Sequence, residues 1–596
     1  MPLEINRRAV LNGASCVVLA GSAAAAKPAK SDREVLHEFA YGDVTLTGGP
    51  LGRHYDWIKA HYLALDNDRI LKVFRQHAGL DAPGKDMGGW YDADGFVPGL
   101  TFGQYVSGLA RFGRATHDDG FHSKVAYLVQ EFGKALAKNP NPYPGPNSEK
   151  MWAAYVYDKL AVGLIDAFRL SNVHSATDLL PRVWEGARPF ISPVSRDRIG
   201  KKDPPYDETY VLSENLFAAA HVTGDRKFRT LGEHYLLNKE FYDPLAKGID
   251  VLPSKHAYSH TISLSSAASA YLELGNPKYK RALVNAWRFL ELQRYASGGW
   301  GPEEQFVTPH TGALYYSLFS TRAHFETPCG AYANTKLARY LLRLTGEPRY
   351  GDGLERDLYN TILATKLPDD DGDYPYYSTY GCCAHKEYYP KKWPCCSGTL
   401  AQCVADYPLD IYFHAADRLY VVLYTPSEVR WARKGQTVLL RQETDFPDGD
   451  KVRLTVAMKR PERFTLKLRI PGWIAGTPTL LVNGHPYRTS IAAGAYAAIM
   501  RAWKNGDTVE LTLPQNLRTL PIDDKHQDVV AFLNGPVMYV AADPAIVSSR
   551  RAISPPSGLK PLPQTQDAPF HDAVTGVFAP YYLVSGETYD TYFRIA

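Results

Sequence analysis

Cysteine is scarce in this chain. Seven thiols serve 596 residues, far too few for the disulfide-dense framework of a small secreted scaffold. An excess of charge of either sign is also missing. Sixty-seven Lys and Arg stand against 63 Asp and Glu, a balance of +4, and the two signs are interspersed, which removes the electrostatic basis for a nucleic-acid partner. No apolar run reaches the roughly 20 residues of a membrane-spanning helix, so insertion into a membrane is not expected. With 45% hydrophobic and 22% charged residues the composition excludes disorder, and the length exceeds what one hydrophobic core supports, which predicts two or three domains. Aromatics are what the chain has in plenty. Forty Tyr and ten Trp suit the stacking of sugar rings, although packing between helices accounts for most of them.

The first thirty residues read MPLEINRRAVLNGASCVVLAGSAAAAKPAK. Arg7-Arg8, an apolar run and an Ala-x-Ala exit at Ala24 to Ala26 predict an export signal over 1–26, of twin-arginine type, and hence a protein that works in an exported, periplasmic compartment. A lipoprotein reading of Cys16 is disfavoured, because Gly13 stands where an apolar residue is wanted and the apolar run follows the cysteine. Such a compartment permits disulfides, so the six remaining cysteines can also be read as staples.

From about residue 55 to 365 apolar residues recur three and four apart. A unit repeats within this stretch: GLARFGRATHDDGF ends at Phe121, LFAAAHVTGDRKF at Phe228, SAYLELGNPKY at Tyr279 and ARYLLRLTGEPRY at Tyr350, with a weaker copy turning near Ser175. Each is an amphipathic helix, a Gly/Asn/Asp turn and an aromatic that opens the next helix. A period of about 50 residues, one helix pair per unit, with no evident cap, predicts a closed toroid of helical hairpins over 27–407, an (α/α)6 barrel, in preference to an open solenoid. The last step carries an insertion, GGWGPEEQFVTPHTGALYYSLFSTRAHFETPCG, and a long loop inside a compact repeat is usually functional. After about 408 the period changes to two, as in TVLLRQETDF, KVRLTVAM and DTVELTLP, which predicts an antiparallel β-sandwich over 408–520. Further strands are expected over 521–596, with the Pro-rich ISPPSGLKPLPQTQ as a surface connection.

The inserted loop contains PEEQF, with Glu303 and Glu304, and ends in HFETPCG, with Glu326 and Cys329; further on stands WPCC, with Cys395 and Cys396. Neighbouring cysteines rarely bond to each other, because their Cα atoms are about 3.8 Å apart and a disulfide wants about 4.4 to 6.8 Å. Three thiolates and a carboxylate are a plausible set of four zinc ligands. The alternative is a pair of disulfides drawn from Cys329, Cys382, Cys383, Cys395, Cys396 and Cys403.

Several stretches together resemble one family: LDNDRILKVFRQHAGL, YVYDKLAVGLIDAF, GGWGPEEQF, FETPCG, WPCCSGT, LRIPGW, RAWKNGDTVELTLP and FLNGPVMYV. The chain is similar to the glycoside hydrolase family of β-L-arabinofuranosidases, also known as the DUF1680 family, and its sister families. The resemblance spans most of the chain after the signal. It implies an (α/α)6 barrel followed by β-sandwich domains, a bound Zn2+ ion, and retaining hydrolysis of a carbohydrate with a cysteine nucleophile. Position by position it implies Glu326, Cys329, Cys395 and Cys396 as zinc ligands, Cys395 as the nucleophile and Glu304 as the general acid/base.

The chain departs from the family's pattern in places. Glu326-Thr327-Pro328-Cys329 is one residue longer than the family's Glu-x-Cys. Thr101 and Gln104, in GLTFGQY, and Asp158, before Lys159, stand where sister enzymes carry sugar-binding histidines, whereas KHAYSH keeps His256 and His260. Thr101, Gln104, Asp158 and His256 are therefore the candidate substrate contacts, and the lost histidines imply a different sugar or linkage from a simple β-L-arabinofuranoside. Two competing readings share the barrel: a polysaccharide lyase or unsaturated-uronyl hydrolase built on Asp158 and the tyrosines, and a non-catalytic carbohydrate-binding protein with zinc as a staple. Cys382 and Cys383 match nothing in the family.

Overall fold

The structure, a computed structural model, describes residues 32–198, 207–365, 374–381, 383–386, 388–389, 393–542, 559–561 and 577–595. The expected signal segment, Cys16, Cys382 and most of the Pro-rich stretch lie outside these residues.

The repeat seen in the sequence is a helical hairpin. Helix Phe102–Thr116 ends at His117 in the left-handed conformation, Asp118 caps the next helix by accepting the Gly120 N–H, and Phe121 sits in that helix's first turn. The left-handed stop recurs at Asn172, Gly224, Gly275 and Gly346, each closing a helix. Asp225 and Asn276 cap the helices that follow by accepting the N–H groups of Lys227 and Lys278. A left-handed stop followed by an Asx cap satisfies both helix ends and reverses the chain. Phe121, Phe228, Tyr279 and Tyr350, the aromatics of the repeat, are all buried.

Six helices form the inner ring: Phe102–Thr116, Ala153–Ser171, Ser213–Thr223, Ala257–Leu274, Thr327–Thr345 and Cys395–Ala405. Each lies against the next, and the sixth returns to the first, which closes the (α/α)6 toroid. Their first turns meet at one end, where His256 reaches Glu304, Cys395 reaches Glu326 and Gln104 reaches Thr399. The ring is tightest between its first two helices. A Cβ on Gly103 would lie 1.7 Å from the Lys159 carbonyl oxygen, and one on Gly163 would lie 2.5 Å from the Gly103 carbonyl oxygen. Both obstacles are backbone, so neither helix can yield locally. Gly103→Ala is expected to destabilise the protein by about 1–3 kcal/mol through overpacking, with a lower denaturation midpoint in urea as the readout, and an unchanged midpoint would refute this.

The helical part ends at Ile411, and the β-region follows in three sheets. A five-stranded sheet has the order His37–Glu38, Tyr412–Ala415, Arg418–Val421, Glu462–Ile470 and Ala495–Trp503. A seven-stranded sheet runs from His485–Pro486 through Thr479–Val482, Thr508–Thr512, Lys451–Ala457, Gln436–Thr444 and Ser427–Arg433 to Val44–Leu46. Buried and exposed residues alternate along Ser427–Arg433 and Lys451–Ala457, as strands with one buried face require. The pairing is antiparallel except between Arg418–Val421 and Glu462–Ile470, which run parallel. Each sandwich sheet is thus completed by a short strand from before the barrel, too short for alternation to reveal. The third sheet takes in Leu517–Pro521, Val529–Asn534, Val537–Ala542, Leu559–Pro561, Val577–Pro580, Tyr589–Asp590 and Phe593–Ile595. Leu559–Pro561 belongs to the stretch expected as a surface connection and pairs instead with Phe593–Ile595. Among the described residues no helix is long and apolar enough to cross a membrane.

Candidate active site

Two neighbouring inner helices carry the cluster. Glu326 is the N-cap residue of Thr327–Thr345 and Cys329 lies in its first turn, while Cys395 and Cys396 open Cys395–Ala405. Pro328 occupies an early helical position where its missing N–H costs nothing, and the residue extra to the family's spacing leaves Cys329 within the cluster. Cys395 Sγ lies 3.3 Å from Glu326 Oε1, Cys396 Sγ 3.8 Å from the same oxygen, and Cys396 Sγ 3.5 Å from Cys329 Sγ. The four donor atoms all lie within 4.8 Å of one another and all four residues are buried. These separations are far longer than the roughly 2.05 Å of a disulfide, and Cys329, Cys395, Cys396 and Cys403 are free thiols. Two disulfides drawn from the six cysteines are therefore not formed.

Burial pushes the thiols of Cys395 and Cys396 and the Glu326 carboxyl well above their ordinary ranges. Burial acts on Cys329 too, but hydrogen bonds from Cys395, Cys396 and Thr399 outweigh it and hold that thiol below its usual value. Four acidic donors so close together cannot all lose their protons in a dry site without a cation among them. The cluster sits at the N-terminal ends of two helices, whose dipoles favour negative charge there. The donor set can thus hold a metal ion, and four of its six edges, at 3.3–4.0 Å, match those of a tetrahedron with arms of about 2.3 Å, whose edges are about 3.8 Å.

Glu304 stands beside the cluster. It and Glu303 both adopt left-handed backbone, φ +60° and +55°, a costly conformation for two successive non-glycine residues. The turn sends the two carboxylates to different places. Glu303 is exposed and accepts a hydrogen bond from the Thr321 hydroxyl, whereas Glu304 is part-buried, accepts hydrogen bonds from the hydroxyls of Tyr376 (3.2 Å) and Tyr377, and lies 3.3 Å from His256 Nε2. Its tyrosine partners are tied to the cluster, because Tyr377 pairs with Glu326 in a two-stranded ladder and the Thr327 N–H donates to the Tyr376 carbonyl.

The other sequence-derived candidates fall into two places. His256 is the N-cap of Ala257–Leu274, with Nδ1 2.9 Å from the Ser259 hydroxyl and 3.6 Å from buried Glu208, and burial lowers its pKa. His260 turns away, to Asp197 at 2.7 Å. Asp158 is buried, accepts from Asn215 at 2.7 Å and lies 3.3 Å from Lys159 Nζ, and burial raises its carboxyl. Lys159 in turn reaches the Tyr258 hydroxyl at 3.1 Å and lies over the Tyr155 ring. Thr101 and Gln104 back onto the helix of the cysteine pair. Gln104 Nε2 donates to Thr399 Oγ1 at 2.6 Å, and that oxygen is 3.1 Å from Cys329 Sγ. Thr101 Oγ1 and Gln104 Oε1 are buried with no hydrogen-bond partner among the described residues.

Sequence reasoning missed Tyr376, Tyr377, Tyr155, Tyr258, Glu208 and Arg198. The tyrosine-rich YPYYSTY run was a usable signal for the first two. Glu208 and its 2.9 Å partner Arg198 have no local signature.

Residues 43–409 match the family model described as β-L-arabinofuranosidase, GH127 catalytic domain, and residues 418–515 match the GH127 middle domain. A curated relative, the non-reducing end β-L-arabinofuranosidase of Bifidobacterium longum subsp. longum, is 24% identical over 352 residues, which cover 54% of this chain. The chain spans about half the length of that relative, 50%. Among solved structures, a GH127 β-arabinofuranosidase superposes with a TM-score of 0.74 at 19% identity, over 94% of this chain and 98% of the other. A GH127 β-L-arabinofuranosidase from Geobacillus stearothermophilus T6 gives 0.69 at 18% identity, over 92% and 99%. These likenesses match the fold in both its helical and its β parts, and the two family matches together take in most of the chain: it belongs to the β-L-arabinofuranosidase family GH127 of the glycoside hydrolases.

Proposed function

We propose that the protein is an exported, zinc-dependent retaining glycoside hydrolase with Cys395 as nucleophile and Glu304 as general acid/base, acting on arabinofuranosides or a related plant or algal glycan. The observation that carries this reading is the buried Glu326–Cys329–Cys395–Cys396 cluster with Glu304 held beside it. Zinc suits three sulfurs and one carboxylate; bound there, it would keep the thiols deprotonated and fix their positions. Cys395 attacks the anomeric carbon while Glu304 gives its proton to the departing oxygen, and Glu304 then takes a proton from the water that releases the sugar from sulfur. Hydrogen bonds from Tyr376 and Tyr377 orient the Glu304 carboxylate for both steps.

The zinc assignment is tested by metal analysis. The purified protein is expected to hold about one zinc per chain, and Cys396→Ser to lose it together with stability, because loss of one ligand leaves buried charged donors unpaired. Stoichiometric zinc retained by Cys396→Ser would exclude this ligand set. A glycan panel tests the substrate. Thr101, Gln104 and Asp158 in place of histidines favour another glycoside over simple β-L-arabinofuranosides, and turnover of the latter at about 10 per second or more, a typical rate on a good substrate, would overturn that preference.

A further inference from the structure

Beside the cluster lies a glycine-rich loop, GKDMGGWYDADGFVP, whose backbone is fastened within itself and to the catalytic segment. The Val97 N–H donates to the Trp90 carbonyl at 3.0 Å, the Gly95 N–H to the Asp92 carbonyl at 2.8 Å, and the Asp92 carboxylate accepts the Gly88 N–H at 3.0 Å. A Cβ on Gly95 would lie 2.2 Å from the Gly89 carbonyl oxygen, so the turn closes only with glycine there. The N–H of Trp393, two residues before Cys395, donates to the Gly88 carbonyl at 3.3 Å.

This scaffold displays two aromatic rings. Trp90 and Phe96 meet edge to face at 4.8 Å. Phe96 is 41% exposed although it packs between the rings of Trp90 and Trp152. Trp90 lies 5.8 Å from the Tyr376 ring, whose hydroxyl donates to Glu304. On its other side Phe96 lies 5.8 Å from Trp152, which lies 5.8 Å from Tyr155. A line of rings therefore leads from solvent at Phe96 to the groups around the cluster. Apolar ring faces held rigidly in water are suited to the C–H faces of a sugar, because stacking removes both surfaces from water at little conformational cost.

Resting on the glycosidase reading, we infer that Phe96 and Trp90 form a binding platform for the sugar on the leaving-group side of the scissile bond. The side is fixed by Glu304: the departing oxygen must lie at the acid/base, and the platform adjoins the tyrosine that holds it. The occupant is the sugar residue released with that oxygen, and the loop thereby selects for glycosides whose leaving group is itself a sugar.

The test compares two substrates carrying the same glycosyl group at the site of attack, the one the glycan panel shows to be turned over best: its glycosyl fluoride, whose leaving group is one atom, and a disaccharide of that glycosyl group. For Phe96→Ala, with folding checked by circular dichroism, the ratio of kcat/KM on the disaccharide to that on the fluoride is expected to fall at least tenfold, through KM, and Phe96→Tyr is expected to restore it. An unchanged ratio, or a Phe96→Tyr variant as impaired as Phe96→Ala, would overturn the platform while leaving the glycosidase reading intact. Absence of turnover of either probe and of every glycan in the panel by the wild-type protein would overturn that reading and the platform with it.

Discussion

Cys395→Ser is expected to abolish turnover on every glycoside the protein accepts, by about 10⁴-fold or more, the order seen when a covalent nucleophile is removed. An alcohol in place of a thiolate cannot form the sulfur-bound intermediate, whatever the leaving group. Glu304→Gln should behave differently. Its loss costs proton transfer, commonly worth about 10²–10⁴-fold, so the defect should be large on alkyl glycosides and small on activated aryl glycosides, with partial rescue of the second step by azide. Glu303→Gln should leave most activity, since its carboxylate points to Thr321 and not to the tyrosines. Steady-state kinetics on one alkyl and one aryl substrate separate the three variants. Substantial activity in Cys395→Ser together with its loss in Glu303→Gln would replace the thiolate mechanism with an inverting or lyase reaction on the same barrel.

Arg469→Met is expected to produce the largest loss of stability, about 3–5 kcal/mol, as for a buried ion pair deprived of one partner. Arg469 is a fully buried residue of the Glu462–Ile470 strand, and it reaches into the helical domain. Its guanidinium donates to Glu355 at 2.6 Å, to Asp352, and to the Val422 carbonyl at 2.5 Å. Glu355 is equally buried and also accepts from Trp473 Nε1 at 2.7 Å. Methionine would fill the space and leave two carboxylates facing one another without their cation. Arg453→Met is the control: its pair with Glu510 has the same close geometry, 2.8 Å, but both side chains are about half exposed, and exposed pairs contribute about 0–1 kcal/mol. Chemical denaturation of both variants, followed by circular dichroism, provides the comparison. Equal midpoints would show that the clamp between barrel and sandwich contributes little.

The helical ring could be read in advance because its punctuation is local. A left-handed residue, an Asx cap and a buried aromatic recur within a few positions of each other, and each acts on its own helix end. The four cluster residues were legible through residue type and family likeness, since thiols are scarce enough here to stand out. Contacts set by the tertiary fold were not legible. Tyr376 and Tyr377 reach Glu304 from more than seventy residues away, and Glu208 meets His256 only once the ring has closed. His37–Glu38 and Val44–Leu46 carry too few residues to show a period of two, yet they complete the edges of two sheets. Thr101 and Gln104 occupy expected positions in the chain, but their environment, packed onto the helix of the cysteine pair, depends on an approach that periodicity does not encode.

The third sheet bears on the site from the far end of the described chain. Ala384 and Tyr589 exchange backbone hydrogen bonds of 2.9 and 2.8 Å, the Asp590 carboxylate accepts the Cys383 N–H, and the Tyr589 hydroxyl donates to the Thr379 carbonyl. The segment so gripped is the one that presents Tyr376 and Tyr377 to Glu304. During synthesis the ribosome therefore releases a helical ring with all four cluster residues well before the strands that brace this segment from outside. A nascent chain halted at residue 576 would hold Tyr376 and Tyr377 by the Phe325–Glu326 ladder, without the second grip that Tyr589 and Asp590 add from the far end of the chain.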